Sequence, residues 1–287
     1  MTEAGDLAAW VEGIVKEFVE SPENTLGNAA SERAWAEPLV GFSSGADPLY
    51  RFYKGDIGSF YLTPIEWFEK AFPGVETSPE KLMVISWILP QTEATKADNR
   101  LQKTYPSERW ARSRIFGEEA NVKLRGHIAE ALTETGYPAI APMNSPLWAR
   151  GTSEKYGYAS NWSERHAAYA AGLWAFGLCD GLITPLGKAM RAGSVIAKID
   201  IPPSPRTYVD HHAYCLLYMR GACGDCIRRC PVGAISERGH DKARCSEHLN
   251  ATRGYVESIY GFKGYGCGLC QTGVPCESRI PPELVIR

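Results

Sequence analysis

Apolar and polar positions recur along this chain with two different periods, and the periods mark out its elements. Over residues 6–20, Leu7, Trp10, Val11, Ile14, Val15 and Phe18 fall on one helical face, with Asp6 as N-cap and Ser21-Pro22 as the stop. That predicts an amphipathic packing helix. Leu82 to Leu89 is an unbroken apolar run closed by Pro90, the pattern of a strand buried on both faces. Residues 118–135 read as a helix ended by Gly136, and 137–142 as a short strand. Residues 164–174 read as a helix with a small-residue face of Ala167, Ala168, Ala170 and Ala171, and 193–199 as a further strand. Strand, helix and strand at these spacings predict an α/β layer.

Elsewhere the periods break up. From Pro38 to Pro79 the chain is rich in Gly, Pro and aromatics. Pro38 to Pro48 reads as a loop, and Tyr50, Phe52, Tyr53, Phe60, Tyr61, Trp67 and Phe68 follow it as core, a flat ligand wall being the other use of such residues. Trp148 to Trp162, with Lys155, Tyr156 and Tyr158, reads as a polar loop. Arg109, Arg112 and Arg114 read as a solvated basic face, with phosphate or carboxylate binding as the alternative. Residues 172–187 are glycine-rich, which lets the backbone approach something closely, although no G-x-G-x-x-G can be read there. Residues 201–206, Ile-Pro-Pro-Ser-Pro-Arg, form a linker, giving a unit over 1–205 and a second over 206–287.

Composition narrows the class. The 287 residues are 44% apolar, enough to bury a substantial core. Lys+Arg 31 against Asp+Glu 33 leaves a net charge of −2, so no global basic field advertises nucleic acid. No apolar run reaches the roughly 18–20 residues of a membrane span. The opening Met-Thr-Glu-Ala-Gly-Asp has neither a basic nor an apolar export signal, which places nine reduced cysteines in the cytoplasm and predicts oxygen sensitivity.

Eight of those cysteines lie between Cys215 and Cys276. Cys223-Gly-Asp-Cys226-Ile-Arg-Arg-Cys230-Pro231 contains the C-x2-C-x3-C-P run of bacterial ferredoxins, whose thiolates hold [4Fe–4S] clusters. Four thiolates per cluster make eight cysteines suit two. The first position of the full signature is Arg220, and Cys215 is its stand-in. The assignment is Cys215, Cys223, Cys226 and Cys276 for the first cluster, and Cys230, Cys245, Cys267 and Cys270 for the second; the crossing of Cys230 and Cys276 follows the two-cluster rule. Structural zinc and a disulfide framework are the competing readings. Cys179, outside this segment, reads as a buried apolar thiol.

The stretch His166-Ala-Ala-Tyr-Ala-Ala-Gly-Leu-Trp-Ala-Phe-Gly, continued by Leu-Ile-Thr-Pro and Ala-Gly-Ser-Val-Ile-Ala and then by cysteines in this order, resembles epoxyqueuosine reductases and reductive dehalogenases. The resemblance implies a nitroreductase-like α/β domain followed by a ferredoxin-like domain with two [4Fe–4S] clusters. It also implies a corrinoid near the first cluster, with Gly172, Gly177, Thr184 and Ser194 as its binding residues. Electrons would pass from a ferredoxin- or flavodoxin-type donor through both clusters to the corrinoid. An organic substrate would then lose oxygen or halogen. Counting upstream from Ala-Gly-Leu reaches Tyr158 as proton donor, with Lys155 and Arg165 as candidate neighbours. The substrate class includes a modified nucleoside; tRNA as a partner is left open and has no support from charge. Trp174 stands where these families carry a second glycine, and Asp210-His-His212 only begins their corrinoid motif. Those departures motivate a second reading, an electron-transfer or activator protein of the same fold without a corrinoid.

Overall fold

A computed structural model describes residues 4–284 and builds its main layer on one four-stranded sheet. Helix α1 (Ala4–Glu20) forms as its apolar period predicts and buries Val11, Ile14, Val15 and Val19. Strand β1 (Leu39–Ser44) occupies the stretch read as a loop. Its Gly and Ser residues hide the strand, but Leu39 to Ser44 pair residue by residue with Ile88 to Met83. Helices α2 (Pro48–Ile57) and α3 (Pro64–Ala71) follow. Each starts with proline behind a capping side chain: Asp47 accepts from the Leu49 N–H, and Thr63 and Glu66 form a capping box. Between them these two helices bury Tyr50, Tyr53, Trp67 and Phe68, so the aromatic stretch is core, with Phe52 exposed.

Strand β2 (Met83–Pro90) is buried at every residue. Helices α4 (Glu93–Arg100) and α5 (Glu108–Arg112) are capped by the Thr92 and Ser107 hydroxyls, and α6 (Glu118–Glu134) ends before Gly136, whose φ is +92°. A single π turn, Ser113–Gly117, joins α5 to α6 and frees the Gly117 carbonyl for the Trp35 indole N–H at 2.9 Å. Next come β3 (Ala139–Ile140) and a hairpin, β4 (Arg150–Ser153) with β5 (Gly157–Ser160), in the segment read as a polar loop. The hairpin escapes a periodicity argument because neither face carries an apolar alternation.

Helix α7 (Glu164–Ala170), the short pair β6 (Ala175–Phe176) and β7 (Leu182–Ile183), and strand β8 (Met190–Ala197) complete this part. The cysteine segment carries α8 (Leu216–Arg220), α9 (Asp225–Arg228), the ribbon β9 (Ile235–Ser236) with β10 (Gly239–His240), and α10 (Lys242–Tyr260). No helix among the described residues is long and apolar enough to cross a membrane.

The sheet runs β1-β2-β8-β3, antiparallel throughout, with a core on each face. Ile85, Trp87 and Leu89 of β2 face α1 and α6 together with Trp35, Leu124 and Ile128. Val84 and Ile88 face the other way, toward Tyr50, Tyr61, Trp67, Phe68 and Trp162. A central strand with a core on both sides buries both of its faces, which is why β2, with Ser86 its one polar position, reads as a run rather than an alternation. Each such side chain contributes about 1.5–3 kcal/mol on burial. Opposite Trp87 stands Gly193, where a Cβ would collide with the indole; the indole N–H donates to Asn121 Oδ1 at 2.9 Å.

The three upstream arginines are not a solvated basic face. Arg109 pairs with Glu32 and Asp98, Arg112 with Glu108, and Arg114 lies over the Tyr265 ring, 4.7 Å from its centre.

Candidate functional site

A third core, built of Leu178, Cys179, Ile183, Cys215, Cys226, Ile235 and Val274, joins the cysteine segment to the β6–β7 region. Within it Cys215, Cys223, Cys226 and Cys276 line one small cavity. Helix α8 starts at Cys215 and α9 carries Cys226 in its first turn, so two short helices and the 274–276 loop bring the four thiols together. Cys215 and Cys226 are buried, while Cys223 is exposed and sits at φ +122°, next to Gly224 at φ +112°. Positive φ on a non-glycine residue is strained and is held only by its surroundings. Cys223 also borders an open groove with Leu216, Arg220, Asp225 and Glu283.

The other four cysteines gather beside this cavity. Cys267 faces Cys245 and Cys230, and Cys270 faces Cys267 and Cys179. The Ala234 N–H donates to Cys230 Sγ at 3.2 Å. Among the described residues no three His, Cys, Asp or Glu side chains close on a single point, as a mononuclear metal would need. The first group of thiols is instead spread around a space.

Residues the sequence reading passed over complete the site. Cys179 is buried, as its sequence reading has it, and packs in the third core beside Cys215 and Cys226 with its thiol near that of Cys270. Lys188 is 2% exposed and lines the first cavity, and its backbone N–H donates to Cys276 O at 2.8 Å. Asp180 holds His240 at 3.0 Å, and His240 reaches Cys245. The bond to Asp180, then that to Cys245, pushes His240 up to about 10. Arg229, next to Cys230, donates to the carbonyls of Gln102, Asn99, Leu269 and Thr272. Asn99 of α4 donates to Cys267 O, and its own carbonyl accepts from the Ser107 N–H. These two residues bracket the Cys267–Cys270 turn against α4. A lysine inside an apolar turn and an arginine beside a ligand cysteine were the signals available in the sequence.

Burial sets the thiols. It pushes Cys226 up to about 12 against the opposing Lys188 charge, and Cys267 up to about 11. Cys276 is also raised by burial. The hydrogen bond between Cys270 and Cys179 raises Cys270 and lowers Cys179. Burial pulls Lys188 down, but the charges of Cys179, Cys276, Cys270 and Cys226 outweigh it and hold the ammonium charged.

Of the residues nominated for a corrinoid, Gly177 lines the first cavity, while Gly172, Thr184 and Ser194 have protein partners. Gly172, at φ +75°, would place a Cβ 2.7 Å from the Pro205 carbonyl oxygen, and one at Gly177 would meet Ile183 at 3.2 Å. Thr184 Oγ1 donates to Gly187 O at 2.9 Å and accepts from the Leu186 N–H, closing a turn. Ser194 Oγ accepts from the Trp162 indole at 3.0 Å and donates to Glu164. Thr184 and Ser194 are fully buried. Trp174 adopts φ +75°, a left-handed conformation that favours glycine. His212 Nδ1 donates to Phe176 O at 3.0 Å and its ring stacks on Tyr218 at 3.8 Å, which ties β6 to α8.

Tyr158 is exposed on β5, where Lys242 Nζ donates to its backbone carbonyl. Lys155 is held by Asp56 at 2.6 Å and lies over the Tyr156 ring, while Arg165 is engaged by the Asp180 carbonyl. The structure therefore brings neither basic side chain to the Tyr158 hydroxyl.

Neither a protein-family profile nor a curated protein matches the chain. Solved structures do. A selenomethionine-labelled epoxyqueuosine reductase matches 93% of this chain at 18% identity and a TM-score of 0.46. The epoxyqueuosine reductase from Bacillus subtilis matches 96% at 17% identity and 0.46. A catabolic reductive dehalogenase matches 85% at 16% identity and 0.49. This chain covers 66% and 68% of the two reductase chains and 30% of the dehalogenase chain. In overall structure it is similar to members of the two families that its glycine-rich segment and cysteine order resemble.

Proposed function

We propose that this chain is an iron–sulfur oxidoreductase that holds two [4Fe–4S] clusters and passes electrons singly from an external donor to an acceptor. The observation that carries the reading is the convergence of Cys215, Cys223, Cys226 and Cys276 on one apolar-walled cavity. Their donor set is sulfur alone, the chemistry that holds iron–sulfur clusters. Cys230, Cys245, Cys267 and Cys270 would hold the second cluster. When bound, such clusters supply reversible one-electron chemistry.

The chain's own residues do the rest. Leu178, Ile183 and Val274 keep water from the first site, and Ala234 lends an N–H to the Cys230 sulfur. Arg229 and Asn99 fix the turn that presents Cys267 and Cys270. In this reading residues 1–205 form a nitroreductase-like α/β unit and 206–287 a ferredoxin-like one. The protein works in a reducing cytoplasm with a ferredoxin- or flavodoxin-type donor.

A corrinoid does not fit at the residues nominated for it. Gly172 faces the Pro205 carbonyl, and Thr184 and Ser194 are buried with their hydrogen bonds made within the chain. We therefore derive no step through a corrinoid. Of the two acceptors under consideration, this packing favours a partner protein over an epoxide or organohalide reduced within the chain.

The test is iron, sulfide and cobalt content after anaerobic purification from cells supplied with cobalamin. About eight iron per chain, as two clusters require, with no cobalt is the expected result. Cys215→Ser should lower iron to about four per chain, while Cys179→Ser should leave it unchanged. Stoichiometric cobalt would restore the corrinoid reductase reading, and zinc in place of iron would overturn both.

A further inference from the structure

Lys188 is the one lysine of the site, and its setting differs from that of an ordinary buried cation. A buried ammonium normally has a carboxylate partner, because desolvation without one is costly. Lys188 lines the first cavity with Cys215, Cys226 and Cys276, and the largest charges acting on it are those of the thiols Cys179, Cys276, Cys270 and Cys226. Two of these, Cys276 and Cys226, belong to the first cysteine group, and Cys270 belongs to the second.

The backbone is shaped to put the ammonium there. Gly187 turns at φ +86° against the Glu277 backbone, where any side chain would collide. The next N–H, that of Lys188, donates to Cys276 O at 2.8 Å and to Glu277 O at 3.0 Å. At Gly181 a Cβ would lie 3.0 Å from Lys188 Cγ, so the missing side chain leaves room for the aliphatic stem. Glu277, the nearest carboxylate in the sequence of the facing loop, is taken by Arg100 at 2.7 Å and by the Gly273 N–H. The lysine is thus anchored at its backbone, cleared along its stem and left with sulfur at its tip.

We propose that Lys188 is the fixed positive charge of the cluster site, a positioning residue that stabilises the reduced, more negative form of the bound clusters and so raises their reduction potentials. This rests on the two-cluster reading above. Cluster potentials respond to net charge and to hydrogen bonds at sulfur, and an ammonium between both thiol groups changes both. The step concerned is the arrival of one electron from a low-potential donor, with no bond made or broken.

The experiment is a dithionite titration of the reconstituted protein followed by electron paramagnetic resonance, on wild type, Lys188→Met and Lys188→Arg. Lys188→Met should disfavour reduction of at least one cluster by tenfold or more, a midpoint about 59 mV lower, and Lys188→Arg should stay near wild type. Iron-replete Lys188→Met with wild-type midpoints would overturn the inference and leave the two-cluster reading intact. A wild-type protein that takes up no iron would overturn that reading, and the inference with it. If Lys188→Met fails to retain iron, thermal unfolding of the chelator-stripped proteins decides. The apo variant should unfold at a higher temperature than apo wild type, whose buried ammonium then lacks the negative charge of the clusters. An equal or lower temperature counts against the proposal.

Discussion

At the scale of single residues, the most constrained positions are those where the cysteine segment presses on the α/β layer. Gly268 stands at φ +68° with the Trp110 indole directly over it. Gly268→Ala adds left-handed strain and a collision, and should destabilise the protein by about 2–5 kcal/mol. Iron analysis should show the loss concentrated in the cluster held by Cys267 and Cys270. Glu164 makes a different prediction. Burial raises it from 4.5 to about 7, against the Arg125 guanidinium at 3.1 Å and the Ser194 hydroxyl. Arg125 pairs with it without hydrogen-bond alignment. The folded state therefore holds a proton that the unfolded chain releases, so stability is lost as pH rises from 4.5 to about 7. Glu164→Gln should remove that loss. The difference in denaturant stability, variant minus wild type, should grow in the variant's favour by on the order of 3 kcal/mol over this range. A pH-independent difference would show that Glu164 is already ionised in the fold.

At the scale of elements, legibility follows how local the cause is. Helices α1 and α6 and strand β2 were readable because their burial is written into their own sequence, as a 3.6-residue period or as an unbroken run. Strand β1 was not, because its strand character comes from six pairings to β2, some forty residues away. The cysteine spacing exposed the thiols. It could not reveal that Cys179 and Lys188, remote in sequence, project among them, since that depends on how the β7–β8 turn meets Cys276. The glycine-rich stretch was rightly read as a close approach of backbone to something, and that something is the chain itself: Pro205 at Gly172 and Glu277 at Gly187. Helix α4 is the element on which the second thiol group leans. Asn99→Ala should leave Cys267 O and the Ser107 N–H without their partner and lower stability by about 2–4 kcal/mol, read as a fall in Tm. Exposed Asp98→Asn, which disturbs only a surface pair with Arg109, should cost under about 1 kcal/mol.

At the scale of the whole molecule, two cores share the sheet and need no metal, whereas the third is built around cysteines. Chelation should therefore act unevenly. Hydrogen exchange after iron removal should show lost protection over 215–233 and 265–277, while amides of β2 and β8 keep theirs. Uniform loss would mean that the cysteine segment supports the sheet rather than resting on it. The Lys96 and Arg100 contacts to Ser278 and Glu277, from α4, are the hinge of that argument, because they tie the segment to an element that folds with the sheet.

Strand β8 closes the sheet at Ala197, before the first thiol of the cysteine segment at Cys215. Chains fold from the N-terminus as they leave the ribosome. The α/β layer can accordingly finish the hydrogen bonding of its sheet while the eight later cysteines are still being synthesised. Those thiols then emerge beside a completed sheet, and Lys188 takes its backbone bonds to Cys276 and Glu277 as they arrive. Maturation becomes a docking event on a template, and the thiols are least exposed to mispairing at the moment when they are most reactive.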